Sequence, residues 1–217
     1  MENICRVEPL LTNKPQFNHG KSAVIYDLLD GTCYKKFYNY DYVDTRDQLE
    51  VLKRISNLEL HNCCKILEIV YDGNKVLGYI MPKYEDKDIS ILNSDSQYLI
   101  TNYDNLVKDI NLLSDNYIIV EDLKEHNVIL TDDKIIIHDY DLYRIAGTPE
   151  RNRLINKTRF ICMLSDLFYD DKHIHCDDID SSLFTSRMYE LINARTDGES
   201  IKTLLKGYNK PIDFIRR

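Results

Sequence analysis

"IIVEDLKEHNVIL", residues 118–130, is the stretch on which the reading of this chain turns. A strand-like apolar run stops at Glu121-Asp122, a polar loop follows, and Asn127 closes that loop where a second apolar run begins. A carboxylate, a lysine and an amide at that spacing between two strands make either a tight turn with solvated side chains or a catalytic loop. What lies on each side decides between them.

Downstream, "DDKIIIHDYDLYRI" (132–145) is another strand running into Asp139 and Asp141. Upstream, "YLITNYDNLVKDINLLSDN" (98–116) is helical, with Leu99, Leu106, Ile110 and Leu113 on one side. Before Pro82 the chain is rich in strand signals. "SAVIYDLLDGTCYKKFYNY" (22–40) and "CKILEIVYDGNKVLGYIMPKY" (64–84) are hairpins around Asp30-Gly31 and Asp72-Gly73. Between them "DTRDQLEVLKRISNL" (44–58) carries Leu49, Leu52 and Ile55 at helical spacing, with Asp44 or Thr45 as N-cap. From about Asn152 onward three helices are expected, "RLINKTRFICMLSDLFY", "DSSLFTSRMYELINAR" and "GESIKTLLKGY". The fold class is α+β: one domain in which a small antiparallel sheet with one helix (1–82) leads into a helical half (86–217), the boundary falling near Met81-Lys83.

Composition narrows the function. With 217 residues, 43% of them hydrophobic, and 16 tyrosines, the chain can bury a substantial core. A net charge of −8 without a basic tail or stripe argues against a nucleic-acid-coating surface, but does not exclude a local phosphate site. "MENICRVEPL" lacks the basic start and apolar core of a signal peptide, and runs such as "YIIV" and "KIIIH" are too short to span a bilayer. The expectation is a cytoplasmic protein without membrane contact. Its six cysteines (Cys5, Cys33, Cys63, Cys64, Cys162, Cys176) show no CxxC pair and read as reduced thiols. "HIHC" (His173, His175, Cys176) has no partner cluster and reads as a polar loop rather than a metal site.

From about residue 16 to 143 the chain resembles a eukaryotic-type protein kinase in miniature, with a truncated C-terminal lobe. The family's catalytic loop runs His-Arg-Asp-Leu to an asparagine, and its Asp-Phe-Gly follows after a short hairpin. Here "VEDLKEHN" supplies Asp122, Leu123, Lys124 and Asn127, with five positions from Asp122 to Asn127, and Asp139 follows twelve later at a strand end. The resemblance implies ATP and Mg²⁺ as cofactors and phosphoryl transfer to a protein or small-molecule acceptor. Asp122 would orient the incoming hydroxyl, Lys124 would offset charge at the γ-phosphate, and Asn127 and Asp139 would offer hard oxygens to Mg²⁺. "NHGKSAVIY" is similar to a reduced glycine-rich loop, keeping Gly20 and placing Ser22, Ala23 and Val24 over the phosphates. "TCYKKF" would make Lys35 the phosphate lysine and Cys33 the small residue under adenine. "GYIMPKYE" would be the hinge, with Met81 guarding the back pocket and Lys83 and Tyr84 presenting backbone to adenine.

The chain departs from that pattern in several places. Gln48 stands where the lysine's glutamate partner belongs, and Glu50 lies roughly 200° round the helix from it, so only one of the two can face Lys35. Val120-Glu121 replaces His-Arg, and a glutamate there would repel a phosphorylated segment. Asp141 stands at the glycine position, as a second metal ligand or the true one. Thr148-Pro149-Glu150 reads as a turn, and no peptide-docking anchor is recognisable. The leading expectation is a minimal protein Ser/Thr kinase. Alternatives are a pseudokinase acting as a nucleotide- or partner-binding module, and a small-molecule kinase of the aminoglycoside phosphotransferase type.

Overall fold

Strand alternation and the Asp30-Gly31 turn shape the first half of the molecule. In the computed structural model, which describes residues 11, 14–19, 22–38, 45–72, 75–87 and 96–169, these segments form a five-stranded antiparallel sheet. Its strands are β1 (Gln16–His19), β2 (Ala23–Asp27), β3 (Thr32–Phe37), β4 (Glu68–Asp72) and β5 (Lys75–Pro82), in the order β1-β2-β3-β5-β4. The β2–β3 turn runs through Asp30 and Gly31. Gly31 takes φ 85°, a left-handed conformation that costs glycine nothing. Asp72 pairs with Lys75 across the second hairpin, whose tip at 73–74 lies outside the described residues.

Helix α1 (Thr45–Ser56) follows β3 and lies against β5. Val51, Leu52 and Ile55 are buried, as the helical period requires, while Glu50 faces solvent and pairs with Arg54. Helix α2 (Ser96–Asp115) buries Tyr103, Leu106, Val107, Ile110 and Leu113. Two short ribbons come next, β6 (Ile118–Ile119) with β9 (Arg144–Ile145) and β7 (Val128–Leu130) with β8 (Ile135–Ile137). A single 3₁₀ turn, Glu125–Asn127, precedes β7.

Helix α3 (Pro149–Tyr169) packs on α2. Thr148-Pro149-Glu150, expected as a turn, is instead the start of this helix. Pro149 stands at the first helical position, where its missing N–H is not needed, and the Asn152 N–H bonds the Thr148 carbonyl at 2.8 Å. The two helices expected after residue 180, the "HIHC" cluster, Gly20, Asp44, Cys5 and Cys176 lie outside the described residues.

One hydrophobic cluster runs from Cys33 in β3 through α1 and α2 to Phe160 and Met163 in α3. Cys33, Cys63 and Cys64 are free thiols inside it. The segments that flank β4 and β5 are bonded to the β7–β8 ribbon. The Lys87 N–H bonds the Leu130 carbonyl at 2.7 Å, and Asp86 Oδ1 accepts the Leu130 N–H at 2.9 Å. Separately, the Cys64 N–H bonds the Ile137 carbonyl and the Ile137 N–H bonds the Asn62 carbonyl, both at 2.7 Å. Among the described residues no helix is long and apolar enough to cross a membrane.

Candidate functional site

A cleft of about 680 Å³ opens between the sheet and the segments that flank the β7–β8 ribbon. Its lining includes Ser22, Lys35 and Met81 from the sheet side, and Asp122, Lys124, Asn127, Asp139 and Asp141 from the other. Ser22 and Asp141, 119 positions apart in sequence, thus meet in one place. The spacing in "VEDLKEHN" shows how the second group is held. The polypeptide leaves β6, turns at Asp122 (φ 54°), and re-enters a strand after Asn127. Asn127, 5% exposed, fixes that turn by donating from Nδ2 to the Asp122 carbonyl at 2.7 Å, and its carbonyl takes the His138 N–H at 2.9 Å.

Asp122 and Asp139 are two of the four described non-glycine residues with positive φ, at 54° and 68°. Backbone strain of that kind persists where the surroundings over-determine a conformation, and it collects at functional sites. Lys124 Nζ lies 2.6 Å from Asp122 Oδ1, and His126 Nε2 is 4.0 Å from Oδ2.

The centre of the cleft is an ionic triad. Lys35 Nζ is 2.6 Å from Asp139 Oδ1 and 2.8 Å from Asp141 Oδ1, and the Ser22 hydroxyl donates to Asp141 Oδ2 at 2.5 Å. Strand pairing places the lysine: β3 is the central strand, and Lys35 faces the interior next to the rings of Phe37 and Tyr79. Burial works against the Lys35 charge, but Asp141 and Asp139 outweigh it and raise the pKa, so the ammonium stays charged. Burial also pushes the Asp139 carboxyl up, yet Lys35 and the Asp141 contacts hold it below the ordinary range. Asp141 goes the other way, raised to about 6 by burial, with the Asp139 charge adding to that against the pull of Lys35. His138, whose pKa burial lowers to about 4, is neutral.

The remaining expected site residues sit elsewhere. Val24 is buried in β2 between the cleft-lining Ala23 and Ile25 and does not itself line the cleft. Cys33 is buried, its Sγ 3.7 Å from the Pro82 carbonyl. The Lys83 N–H is taken by the Gly31 carbonyl at 2.9 Å and its side chain by Asp27 at 2.6 Å, while Tyr84 packs against the core. Of the two candidates on α1, Gln48 is the buried one and Glu50 the exposed one, but the ion-pair partners of Lys35 are the two aspartates. Glu121 accepts from Arg144 Nε at 2.9 Å and pairs with Arg159 Nη2 at 2.6 Å, so two internal arginines neutralise it. Ile25, His126, His138 and Leu142 also line the cleft and carry no sequence signal of their own.

Among the described residues no three His, Cys, Asp or Glu side chains cluster as a ready-made metal site. Asp139, Asp141 and the Asn127 amide offer hard oxygens to a divalent cation. Two carboxylates facing one ammonium leave a net negative charge, and Asp141 Oδ1, although 2.8 Å from Lys35 Nζ, receives no well-directed hydrogen bond. Both features suit a cation. No protein-family model matches the chain, and no curated protein matches it.

Proposed function

We propose that this chain is a minimal two-lobed, kinase-like phosphotransferase that binds ATP with Mg²⁺ in the cleft between the sheet and the β7–β8 ribbon. The observation that carries the reading is the convergence of Lys35, Asp122, Lys124, Asn127 and Asp139 on that one cleft. Phosphoryl transfer needs positioning and charge neutralisation more than covalent chemistry, and these residue types supply both. Asn127, Asp139 and Asp141 would hold the cation, which when bound neutralises phosphate charge. Lys35 would meet the phosphates, and Met81 would border the base. Asp122 would accept a hydrogen bond from the acceptor hydroxyl and orient it, with Lys124 beside it. A protein Ser/Thr side chain is the acceptor we favour.

A second reading, a nucleotide-binding module without turnover, is favoured by one observation: Lys35 is engaged by both Asp139 and Asp141. Incubation with γ-labelled ATP and Mg²⁺, with and without generic protein acceptors, separates the two. Transfer of label supports the enzyme. Binding without transfer supports the module, and absence of any nucleotide-induced rise in melting temperature would sink both.

A further inference from the structure

We infer that Asp141 determines what the cleft admits: its own carboxylate is already paired by charge with Lys35 Nζ and by hydrogen bond with Ser22 Oγ, the two groups an incoming phosphate would otherwise meet, and so disfavours polyphosphate that arrives without a divalent cation. The inference rests on the nucleotide reading above and adds a selectivity to it.

The contact is built rather than incidental. Ser22 precedes β2 and Lys35 lies in β3, whereas Asp141 comes from the segment after β8, so one side chain joins both walls of the cleft. Asp141 is 7% exposed and Lys35 5% exposed. One carboxylate oxygen accepts from Ser22 at 2.5 Å, and the other stands 2.8 Å from Lys35. A phosphate offers the same kind of anionic oxygen and would compete with Asp141 for both partners.

Charge turns this occupancy into selectivity. Lys124 and Asp122, 2.6 Å apart, offset each other, so the inner cleft holds two carboxylates against one ammonium. A bare polyphosphate meets a like charge at close range in a partly desolvated site, where repulsion is screened far less than in water. A divalent cation on the two carboxylates reverses the sign of that surface. The selectivity therefore resides in Asp141, since Asp139 alone against Lys35 would leave the surface neutral.

The experiment compares equilibrium binding of ATP with Mg²⁺ and ATP with EDTA to the full chain and to Asp141→Asn and Asp141→Gly, with circular dichroism confirming that each is folded. The full chain should bind ATP with Mg²⁺ at least about a hundredfold more tightly than ATP with EDTA. Each variant should bind ATP with EDTA at least about tenfold more tightly than the full chain does, as removal of a close like charge predicts. Binding of ATP with Mg²⁺ by the full chain, together with unchanged EDTA affinity in a folded variant, overturns the role of Asp141 and leaves the nucleotide reading standing. Absence of nucleotide binding by the full chain and by both variants overturns both. Asp141→Gly removes the carboxylate without leaving a buried amide, so a folding failure of Asp141→Asn does not close the test.

Discussion

Asp122 and Asp139 share a left-handed backbone and a lysine 2.6 Å away, and differ in which lysine that is. Asp122 pairs with the exposed Lys124, while Asp139 is held by the buried ammonium of Lys35. Their substitutions should therefore behave differently. Asp122→Asn is expected to leave ATP affinity nearly unchanged and to cut turnover by on the order of 10², as loss of a positioned base does. Asp139→Asn should weaken Mg²⁺-dependent binding as well as turnover. Binding isotherms alongside initial rates check the split, and intact turnover in Asp122→Asn would reduce "VEDLKEHN" to a turn. These residues were legible because their spacing is local: a fixed separation between two strands survives any ambiguity about the rest of the chain. His126 and His138 were not, because their place in the cleft depends on how the ribbon is rotated against the sheet. Strand alternation separates Ala23 and Ile25 from Val24, but which of the two faces meets the cleft is set by how the sheet packs.

Within the sheet, β3 and β5 approach so closely at Gly78 that no side chain fits. A Cβ there would lie 2.0 Å from the Lys35 carbonyl oxygen and 2.8 Å from the Tyr34 ring. Gly78→Ala must push back the strand that carries Lys35. We expect it to destabilise the fold by about 1–3 kcal/mol and to weaken ATP binding with it. Denaturant unfolding beside a nucleotide titration tests this, and a change within ±0.5 kcal/mol, the usual surface-substitution range, would mean the strands separate freely. On the opposite side, Glu121 already holds Arg144 of β9 and Arg159 of α3. The segment between β8 and α3 is thus already held by ion pairs to Glu121, without any added negative group. Thr148→Glu should accordingly raise phosphotransfer by less than about tenfold, read as initial rate on a generic acceptor. The hairpins and α1 were readable from Asp-Gly turns and helical spacing. The β6–β9 ribbon was not, since two residues per strand are too few to show alternation.

For the molecule as a whole, acid sensitivity should centre on the cleft. His138 has its pKa lowered from 6.5 to about 4, first by burial. Folding thus favours its neutral form, and that contribution is complete above pH 6.5. It is lost as the pH falls from 6.5 towards 4, by up to about 3 kcal/mol. Asp141 acts in the opposite sense: its carboxyl is raised to about 6, so its ionisation costs stability above that pH and acidification relieves the cost. His138→Asn should remove the first effect and leave the second. Unfolding free energies between pH 4 and 8 should then fall less steeply on acidification in the variant than in the parent, and parallel curves would show that His138 is not buried in its neutral form.

The two ties between sheet and ribbon have a kinematic consequence. Lys87 and Asp86 grip β7 at Leu130, and Asn62 and Cys64 grip β8 at Ile137. The cleft adds a third fastening, since Lys35 is paired with Asp139 and Asp141 and Ser22 bonds Asp141. A body held at three separated places keeps no easy rotation, so sheet and ribbon should open together. Amide exchange should report this as one shared level of protection for β3, β7 and β8, and independent opening of β3 would show that the triad does not hold the two together.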